Sequence, residues 1–144
     1  MLIGVSDSIS PDLLAALDRM GHGDEIVLAD AFFPAHSVNP VVYRADGVHI
    51  PVLLDGILAL INLDTYVDKP VAMMAVAGND TPDPSVKNAY RAIIDRHWPQ
   101  TPPIEFMERF AFYERAKKAF AVVVTGETVK YANIILKKGV IPVK

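Results

Sequence analysis

Short apolar runs alternate along the chain with longer segments in which apolar residues recur at helical spacing. Residues 25–29 (EIVLA) are too few for a helix and are typical of a buried strand. Residues 11–20 place their leucines on one helical face, and Ser10 and Gly21 suit its two ends. Strands are also predicted at residues 41–45, 70–77, 104–107, 120–125 and 133–136, and helices at 51–61, from the Asp83-Pro84 cap onward, and at 109–119.

Strands and helices thus alternate, which is the pattern of the α/β class. Residues 70–77 (PVAMMAVA) are apolar almost throughout, as expected for a strand covered on both faces. The strands predicted at 120–125 and 133–136 are close in sequence, which favours a hairpin and makes the sheet mixed. Without a linker or an internal repeat, residues 1–144 are expected to form a single domain with a central mixed β-sheet flanked by helices.

The net charge, the absence of cysteine and the length of the apolar runs exclude several classes of binding partner and site. The chain has 144 residues, 14 Lys and Arg against 17 Asp and Glu, a net charge of −3 and no cysteine. This charge does not favour binding to nucleic acid or to an anionic membrane surface. A disulfide scaffold, a thiolate nucleophile and a cysteine-based metal site are excluded. No apolar run is long enough to span a membrane, and residues 1–7 lack the basic region of an export signal, so we expect a cytoplasmic protein.

The most informative polar segment runs from residue 20 to residue 37 (MGHGDEIVLADAFFPAHS). His22 lies between two glycines, where the backbone can approach a ligand closely. It precedes the strand at 25–29, whereas Asp30 follows it. A five-residue strand spans about 17 Å, so a site that uses both residues needs a folded-back loop or a second subunit. Spacing alone favours a solvated histidine in a turn.

A metal site built from His22, Asp24, Asp30 and His36 is chemically possible, because imidazole and carboxylate suit zinc or manganese. No pair of histidines has a helical ligand spacing, however, and His36 can simply brace the predicted loop at residues 31–39. We therefore predict no metal. His49 and His97 have no potential partner nearby in sequence and are interpreted as structural.

Two further segments carry candidate binding groups. Tyr131 and Asn133 share one face if their segment is extended, and a phenol with an amide can contact several hydroxyls of a polyol. The alternative is an ordinary strand aromatic followed by a turn residue. Arg109 lies at a strand-to-helix junction, where α/β sheets place ligand groups, although a surface salt bridge is the default for one arginine. The aromatic residues that follow it, Phe110 to Tyr113, are expected to belong to the core.

The common nucleotide-binding and hydrolase motifs are absent from the sequence. There is no phosphate-binding G-x-x-x-x-G-K-[ST] loop, no G-x-G-x-x-G fingerprint and no G-x-S-x-G nucleophile elbow. The remaining candidates are a histidine, a Tyr–Asn pair, an arginine and an aspartate. These groups suit proton transfer on a neutral, hydroxyl-rich molecule, and they require no cofactor.

These segments together resemble the L-fucose mutarotase and ribose pyranase family. The loop at residues 33–37 (FPAHS) is similar to the fucose branch, whereas Phe32 departs from the polar residue typical there. The residues that carry the resemblance are 20–26 (MGHGDEI), 30–31 (DA), 33–37, 44–47 (RADG), 109–116 (RFAFYERA), 125–127 (TGE), 130–131 (KY) and 137–139 (KKG).

The resemblance implies an isomerase that interconverts the α and β anomers of a monosaccharide, L-fucose or a similar sugar. It implies that His22 is the proton donor and that Tyr131 contacts the sugar; as a hypothesis about the mechanism, we expect Tyr131 to be the catalytic acid–base partner of His22. It also implies sugar contacts from Asp30, Arg109, Asn133 and the backbone of Ala132. The family further implies a ring-like homo-oligomer with sites formed between subunits, which would bring His22 and Asp30 of different chains together.

Two other functions remain open at this point. A non-catalytic sugar-binding or transport-accessory module would use the same pocket without accelerating anomer exchange. A metal-dependent hydrolase or isomerase would use His22, Asp30 and His36 as ligands. A positioned acid–base pair contributes about 10²–10⁴-fold to a proton-transfer reaction, so the rate of anomer exchange separates the first alternative from a mutarotase.

Overall fold

The computed structural model describes residues 1–81 and 83–142, and these contain six strands and five helices. The strands are β1 (Glu25–Ala29), β2 (Val42–Ala45), β3 (Val71–Met74), β4 (Glu105–Met107), β5 (Ala121–Thr125) and β6 (Ile134–Lys137). The helices are α1 (Pro11–Arg19), α2 (Ala35–Val38), α3 (Ile50–Leu58), α4 (Pro84–His97) and α5 (Arg109–Lys118). In the described part of the chain, no helix is long and apolar enough to cross a membrane.

The strands form one sheet in the order β2-β5-β1-β6-β3-β4. The pairs β2–β5, β5–β1 and β3–β4 are parallel, whereas β6 is antiparallel to both of its neighbours, β1 and β3. Five strands therefore point the same way and β6 points the opposite way. The predicted α/β class with a mixed sheet is confirmed.

The predicted hairpin between the last two strands is wrong. β1 lies between β5 and β6 and pairs with both of them. The connection at residues 126–133 crosses the end of β1, and the Glu127 carbonyl accepts a hydrogen bond of 2.8 Å from the Ala31 N–H there. Two strands that are close in sequence need not pair with each other. Here β1, which occurs much earlier in the chain, pairs with β5 along one edge and with β6 along the other.

Helices cover both faces of the sheet. In β1, Ile26 and Leu28 point towards the core under α1, α3 and α4, whereas Val27 and Ala29 point towards the core under α2 and α5. Both sets are fully buried. A strand buried on both faces has no polar side to alternate with, which explains its continuous apolar sequence.

Several predicted elements differ in detail from the observed ones. Helix α2 lies inside the region expected to be a loop, since four residues after Pro34 are too few to show a helical period. Strand β3 (Val71–Met74) is shorter than the strand predicted at residues 70–77, and three residues of β3 pair with β4. In α5, Phe112 is buried as expected, but Phe110 is 66% exposed and lies outside the core.

The direction of the strands decides where functional groups gather. The carboxyl ends of β1 to β5 and the amino end of β6 share one edge of the sheet, called here the carboxyl edge. Asp30 follows β1, Arg109 follows β4, and Asn133 precedes β6, so all three lie at that edge. His22 precedes β1 and lies at the opposite, amino edge.

The connection after β5 depends on close contact between two glycines. A Cβ on Gly126 would lie 2.8 Å from the nitrogen and 2.9 Å from the Cα of Gly47, and backbone atoms cannot move aside as a flexible side chain can. We expect Gly126→Ala to lower the free energy of unfolding by about 1–3 kcal/mol, as overpacking does elsewhere. Urea denaturation of both proteins measures this difference.

Gly21→Ala is the matched control, because its added Cβ meets its nearest heavy atom, Asp24 Oδ2, at 3.7 Å. This variant should retain the stability of the original chain. Equal stability of Gly126→Ala and the original chain would contradict the role given to this contact.

Candidate active site

A cavity of about 370 Å³ opens at the carboxyl edge of the sheet. Four of the residues singled out from the sequence line it: Asp30, Arg109, Tyr131 and Asn133. Asp30 follows β1, Arg109 follows β4, and Tyr131 and Asn133 both belong to the connection between β5 and β6. The strand order brings these three parts of the chain together. The cavity wall also includes residues that the sequence did not single out as ligands. Among them are Phe32, Phe33, Met74, Asp80 and Tyr113.

Asp30 and Asn133 are held to each other. The Asn133 Oδ1 accepts a hydrogen bond of 2.7 Å from the backbone N–H of Asp30, and Asp30 Oδ1 accepts one of 3.0 Å from the N–H of Phe32. Asp30 is only 7% exposed. Burial raises the pKa of this carboxyl, and the hydrogen bonds from Phe32 and Asn133 offset only part of that effect. The cavity thus holds a rigid, poorly hydrated carboxyl, which is a strong acceptor for a hydroxyl group.

Tyr131 takes a backbone conformation that was not expected. Its φ is 59°, in the left-handed region that residues other than glycine rarely adopt, so the extended conformation on which the shared face of Tyr131 and Asn133 was conditional is not present here. Strand β6 begins only at Ile134. The turn nevertheless places Tyr131 in the same cavity as Asn133. Such strain costs of the order of 1–3 kcal/mol and is found mainly at functional sites.

The Tyr131 hydroxyl donates a hydrogen bond of 2.5 Å to Asp80 Oδ2. This bond is the main reason that the pKa of Tyr131 is raised, whereas the nearby charge of Arg109 acts in the opposite direction. Lys130 lies 3.8 Å from the other oxygen of Asp80. Tyr131 is therefore a protonated phenol in the free protein, with a carboxylate on one side and a guanidinium nearby.

Arg109 is the first residue of α5 and is fixed by its own helix. The Glu108 side chain caps this helix by accepting hydrogen bonds from the N–H groups of Phe110 and Ala111. The guanidinium donates from Nε to the Tyr113 hydroxyl at 3.2 Å and stacks 5.4 Å from the centre of that ring. Hydrogen bonding to Tyr113 raises the pKa of Arg109 further, so it is always charged. The default of a surface salt bridge does not describe this residue.

Ala132, between Tyr131 and Asn133, is fully buried and is not part of the cavity wall. Its carbonyl accepts a hydrogen bond of 2.8 Å from the Tyr90 hydroxyl, and burial raises the pKa of Tyr90, which keeps that donor protonated.

Glu127, which the sequence did not mark as functional, organises the connection between β5 and β6. Its carboxylate accepts hydrogen bonds from the N–H groups of Thr128 and Val129. These contacts fix the loop that carries Tyr131.

His22 lies at the amino edge, at the other end of β1 from Asp30, so a single chain does not bring it into the cavity. Its Nε2 is 3.0 Å from Asp64 Oδ1, and its ring packs 5.3 Å from the centre of Tyr66. The His22 side chain is 43% exposed, whereas that of Asp64 is 3% exposed. Burial would raise the pKa of Asp64, but hydrogen bonds from the Tyr66 N–H and from His22 outweigh it and lower the pKa.

Sequence analysis missed Asp64, although one signal was present. Asp64 directly follows residues 57–63 (ILALINL), which are apolar except for Asn62, and a charged residue in such a setting is rarely buried unless it has a partner. That partner, His22, lies 42 residues earlier in the chain. Spacing along one sequence does not reveal a pair so far apart.

The other histidines and acids lie elsewhere. His36 Nε2 is 3.4 Å from an Arg44 nitrogen, and Asp24 accepts a hydrogen bond from the N–H of Gly21. His49 lies 3.5 Å from Glu127 and His97 lies 2.8 Å from Asp55. Among the described residues, no group of three or more His, Cys, Asp or Glu side chains converges as metal ligands would.

The raised pKa of Asp30 predicts a specific pH dependence of stability. The folded state holds the Asp30 proton more tightly than the unfolded state, whose carboxyl titrates near pH 4. Stability should therefore fall as the pH rises from about 4 through the raised pKa. Asp30→Asn stays uncharged and can still accept from the Phe32 N–H, so we expect it to gain stability relative to the original chain over that range. Urea denaturation from pH 4 to pH 8 checks this, and a pH-independent difference would contradict it.

Comparisons with known proteins show the family to which the chain belongs. The RbsD / FucU transport protein family matches residues 3–141. The L-fucose mutarotase of Actinobacillus pleuropneumoniae (serotype 5b) is 57% identical over 144 residues, the whole of both chains. The crystal structure of the fucose mutarotase from Streptococcus pneumoniae in complex with L-fucose has a TM-score of 0.94 and 50% identity, covering 98% of this chain and 100% of that one.

A ribose-binding relative is more distant. The structure of Bacillus subtilis RbsD complexed with D-ribose has a TM-score of 0.64 and 25% identity, covering 98% of this chain and 99% of that one. The similarity is therefore greater to the fucose-type protein than to the ribose-type protein, as the loop at residues 33–37 predicted. The chain belongs to the RbsD / FucU family.

Proposed function

We propose that this protein is an isomerase that interconverts the α and β anomers of L-fucose. The observation that carries the proposal is the convergence of Asp30, Arg109, Tyr131 and Asn133 on one cavity. A carboxylate, a guanidinium, a phenol and an amide offer both donors and acceptors to a ring of hydroxyls. The full-length identity to L-fucose mutarotases and the similarity to a fucose complex support the same conclusion.

The binding groups are divided by chemistry. Asp30 accepts hydrogen bonds, and its partner Asn133 fixes the direction of that carboxyl. Arg109 donates from the nitrogens that do not contact Tyr113. The proposal also gives the backbone of Ala132, between the two lining residues Tyr131 and Asn133, a contact with the sugar. Together these groups orient an uncharged sugar, so that its anomeric carbon faces the acid–base pair.

Mutarotation opens the sugar ring at the anomeric carbon and closes it on the other face. A base removes the proton of the anomeric hydroxyl while an acid protonates the ring oxygen, and the bond between the anomeric carbon and the ring oxygen breaks. Closure reverses both transfers. A positioned acid–base pair contributes about 10²–10⁴-fold to such a step. In our proposal, His22 and Tyr131 form this pair.

Asp64 sets the state of His22 in this scheme. Its lowered pKa makes it a carboxylate at neutral pH, and a carboxylate can only accept a hydrogen bond. The proton between the two groups therefore belongs to His22 Nε2, and Nδ1 remains as the free acceptor. Once Nδ1 has taken the anomeric proton, the negative charge of Asp64 stabilises the imidazolium that forms.

Tyr131 is the complementary donor. Its raised pKa keeps the proton on the phenol oxygen until the ring oxygen of the sugar accepts it. The charge of Arg109 would stabilise the phenolate left behind, because it acts to lower the pKa of Tyr131. Asp80, which now accepts the phenol hydrogen bond, can hold the hydroxyl in place between turnovers.

His22 must reach this cavity from a second copy of the chain. The two parts of the proposed site lie at opposite edges of the sheet, so the contact joins the amino edge of one copy to the carboxyl edge of the next. Repeated head-to-tail contacts of this kind form a ring when the rotation closes. Tyr66 beside His22, together with Val140 and Ile141 on the same edge, exposes apolar surface that such a contact would bury.

A second function has one observation in its favour, since the matching family is described as a transport protein family. A transport-accessory protein would bind one anomer in the same cavity without accelerating exchange. Measurement of anomer exchange decides between the two functions. The cytoplasmic location expected from the sequence remains a prediction.

Loss of either member of the acid–base pair should slow the reaction. We expect His22→Ala and Tyr131→Phe each to lower the rate of L-fucose anomer exchange by about 10²–10⁴-fold, because each removes one proton-transfer group. Magnetisation-transfer NMR measures this rate. The control is His36→Ala, which removes an exposed histidine that lies beside Arg44 and is not part of the cavity wall. An original chain that binds fucose without accelerating exchange would reject the mutarotase and favour the transport function.

Replacing Asp64 should separate positioning from acid–base chemistry. Asp64→Asn keeps an oxygen that can accept from His22 but lacks the charge that stabilises the imidazolium. We expect exchange to slow by at least about tenfold, and the acidic limb of the pH–rate profile to move to lower pH. An unchanged profile, measured by the same NMR experiment between pH 5 and pH 8, would show that Asp64 has no electrostatic role.

A further inference from the structure

Phe32 is an aromatic residue with no place in the core. Its side chain is 75% exposed, yet it forms part of the wall of the carboxyl-edge cavity. A large exposed aromatic ring beside polar ligand groups gains nothing from folding in the free protein. The ring therefore offers apolar surface to whatever enters the cavity.

The backbone under Phe32 is held rigidly on both sides. Its own N–H donates to Asp30 Oδ1 at 3.0 Å, and the N–H of Phe33 donates to the Asp30 carbonyl at 3.2 Å. Phe33 itself is buried and packs edge-on against Phe112 and Tyr113. The turn at residues 30–33 is thus fixed by the same aspartate that binds the sugar in the proposed function. A ring on this turn has a defined position relative to the sugar hydroxyls.

The polar groups of the cavity bind hydroxyls and provide little surface for an apolar part of the substrate. Asp30, Arg109, Tyr131 and Asn133 can all bind hydroxyls, and of these four only Tyr131 also presents an aromatic ring. Of the other apolar wall residues, Phe33 and Met74 are almost fully buried, and Ala77 is exposed but offers only a single methyl group. L-Fucose carries a methyl group on the ring carbon next to the ring oxygen. Phe32 provides the largest exposed apolar surface on which such a methyl group can pack.

We propose that Phe32 is a specificity-determining residue that selects sugars with a methyl group at that carbon. This inference rests on the proposed function. Transfer of a methyl group from water to an aromatic surface is favourable, whereas a hydroxymethyl group placed there would lose hydrogen bonds to water without replacement. The contact is made by a part of the sugar that does not react. It therefore contributes to binding equally before and during ring opening, and it acts on KM rather than on kcat.

Three sugars test the proposal because they differ at one position. D-Arabinose has the ring configuration of L-fucose with a hydrogen in place of the methyl group, and L-galactose has a hydroxymethyl group there. Exchange rates are measured by magnetisation-transfer NMR at increasing sugar concentrations for the original chain, Phe32→Ala and Phe32→Tyr. We expect Phe32→Ala to raise KM for L-fucose about tenfold with kcat unchanged, and to change KM for D-arabinose less than about twofold. Phe32→Tyr keeps the ring and should keep the preference for L-fucose.

Controls distinguish the failure of this inference from other failures. Phe106→Ala removes an exposed aromatic residue outside the carboxyl-edge cavity and should leave all three sugars unaffected. An equal loss for L-fucose and D-arabinose in Phe32→Ala would overturn the inference, as would a change in assembly size by analytical ultracentrifugation that accounts for the loss. If the original chain exchanges none of the sugars, the proposed function itself fails. If it exchanges L-fucose and D-arabinose with equal KM, only the role of Phe32 fails.

Discussion

The direction and length of β1 constrain everything else at the site. Its five residues span about 17 Å, and they place His22 and Asp30 at opposite edges of one sheet. β1 is buried on both faces and paired on both edges, so it cannot bend to bring the two residues together. A chemistry that needs both groups must therefore use two copies of the chain. The fold thus makes assembly a condition of activity in the proposed mechanism.

At the carboxyl edge, several unfavourable local features are held in place by the surrounding structure. Tyr131 has a left-handed backbone, Asp30 is a buried carboxyl with a raised pKa, and Phe32 exposes an aromatic ring. Hydrogen bonds from the connection after β5, organised by Glu127, keep these features together. A site that costs stability in the free protein is expected where ligand binding repays it.

The sequence was informative about elements and less so about their partners. Apolar runs located the strands within a few residues, because burial on both faces leaves a clear pattern in β1, β3 and β5. The predicted hairpin of β5 and β6 was wrong because a strand can pair with one that is distant in sequence, as both of these do with β1. Arg109 could be assigned in advance to a strand-to-helix junction that carries ligand groups, because such junctions gather at one edge of an α/β sheet. The roles of Asp64 and Asp80 could not be predicted, because each forms its hydrogen bond with a residue more than 40 positions away in the sequence.

Rescue between two inactive variants tests the shared site most directly. His22→Ala and Tyr131→Phe chains with different tags are co-expressed, and mixed assemblies are purified through both tags. In a random head-to-tail ring of equal parts, about one interface in four pairs an intact His22 with an intact Tyr131, so we predict about a quarter of the original exchange rate. His22→Ala mixed with the double variant has no intact histidine and should stay inactive. Mixed assemblies that remain as inactive as either parent would contradict a site built from two chains.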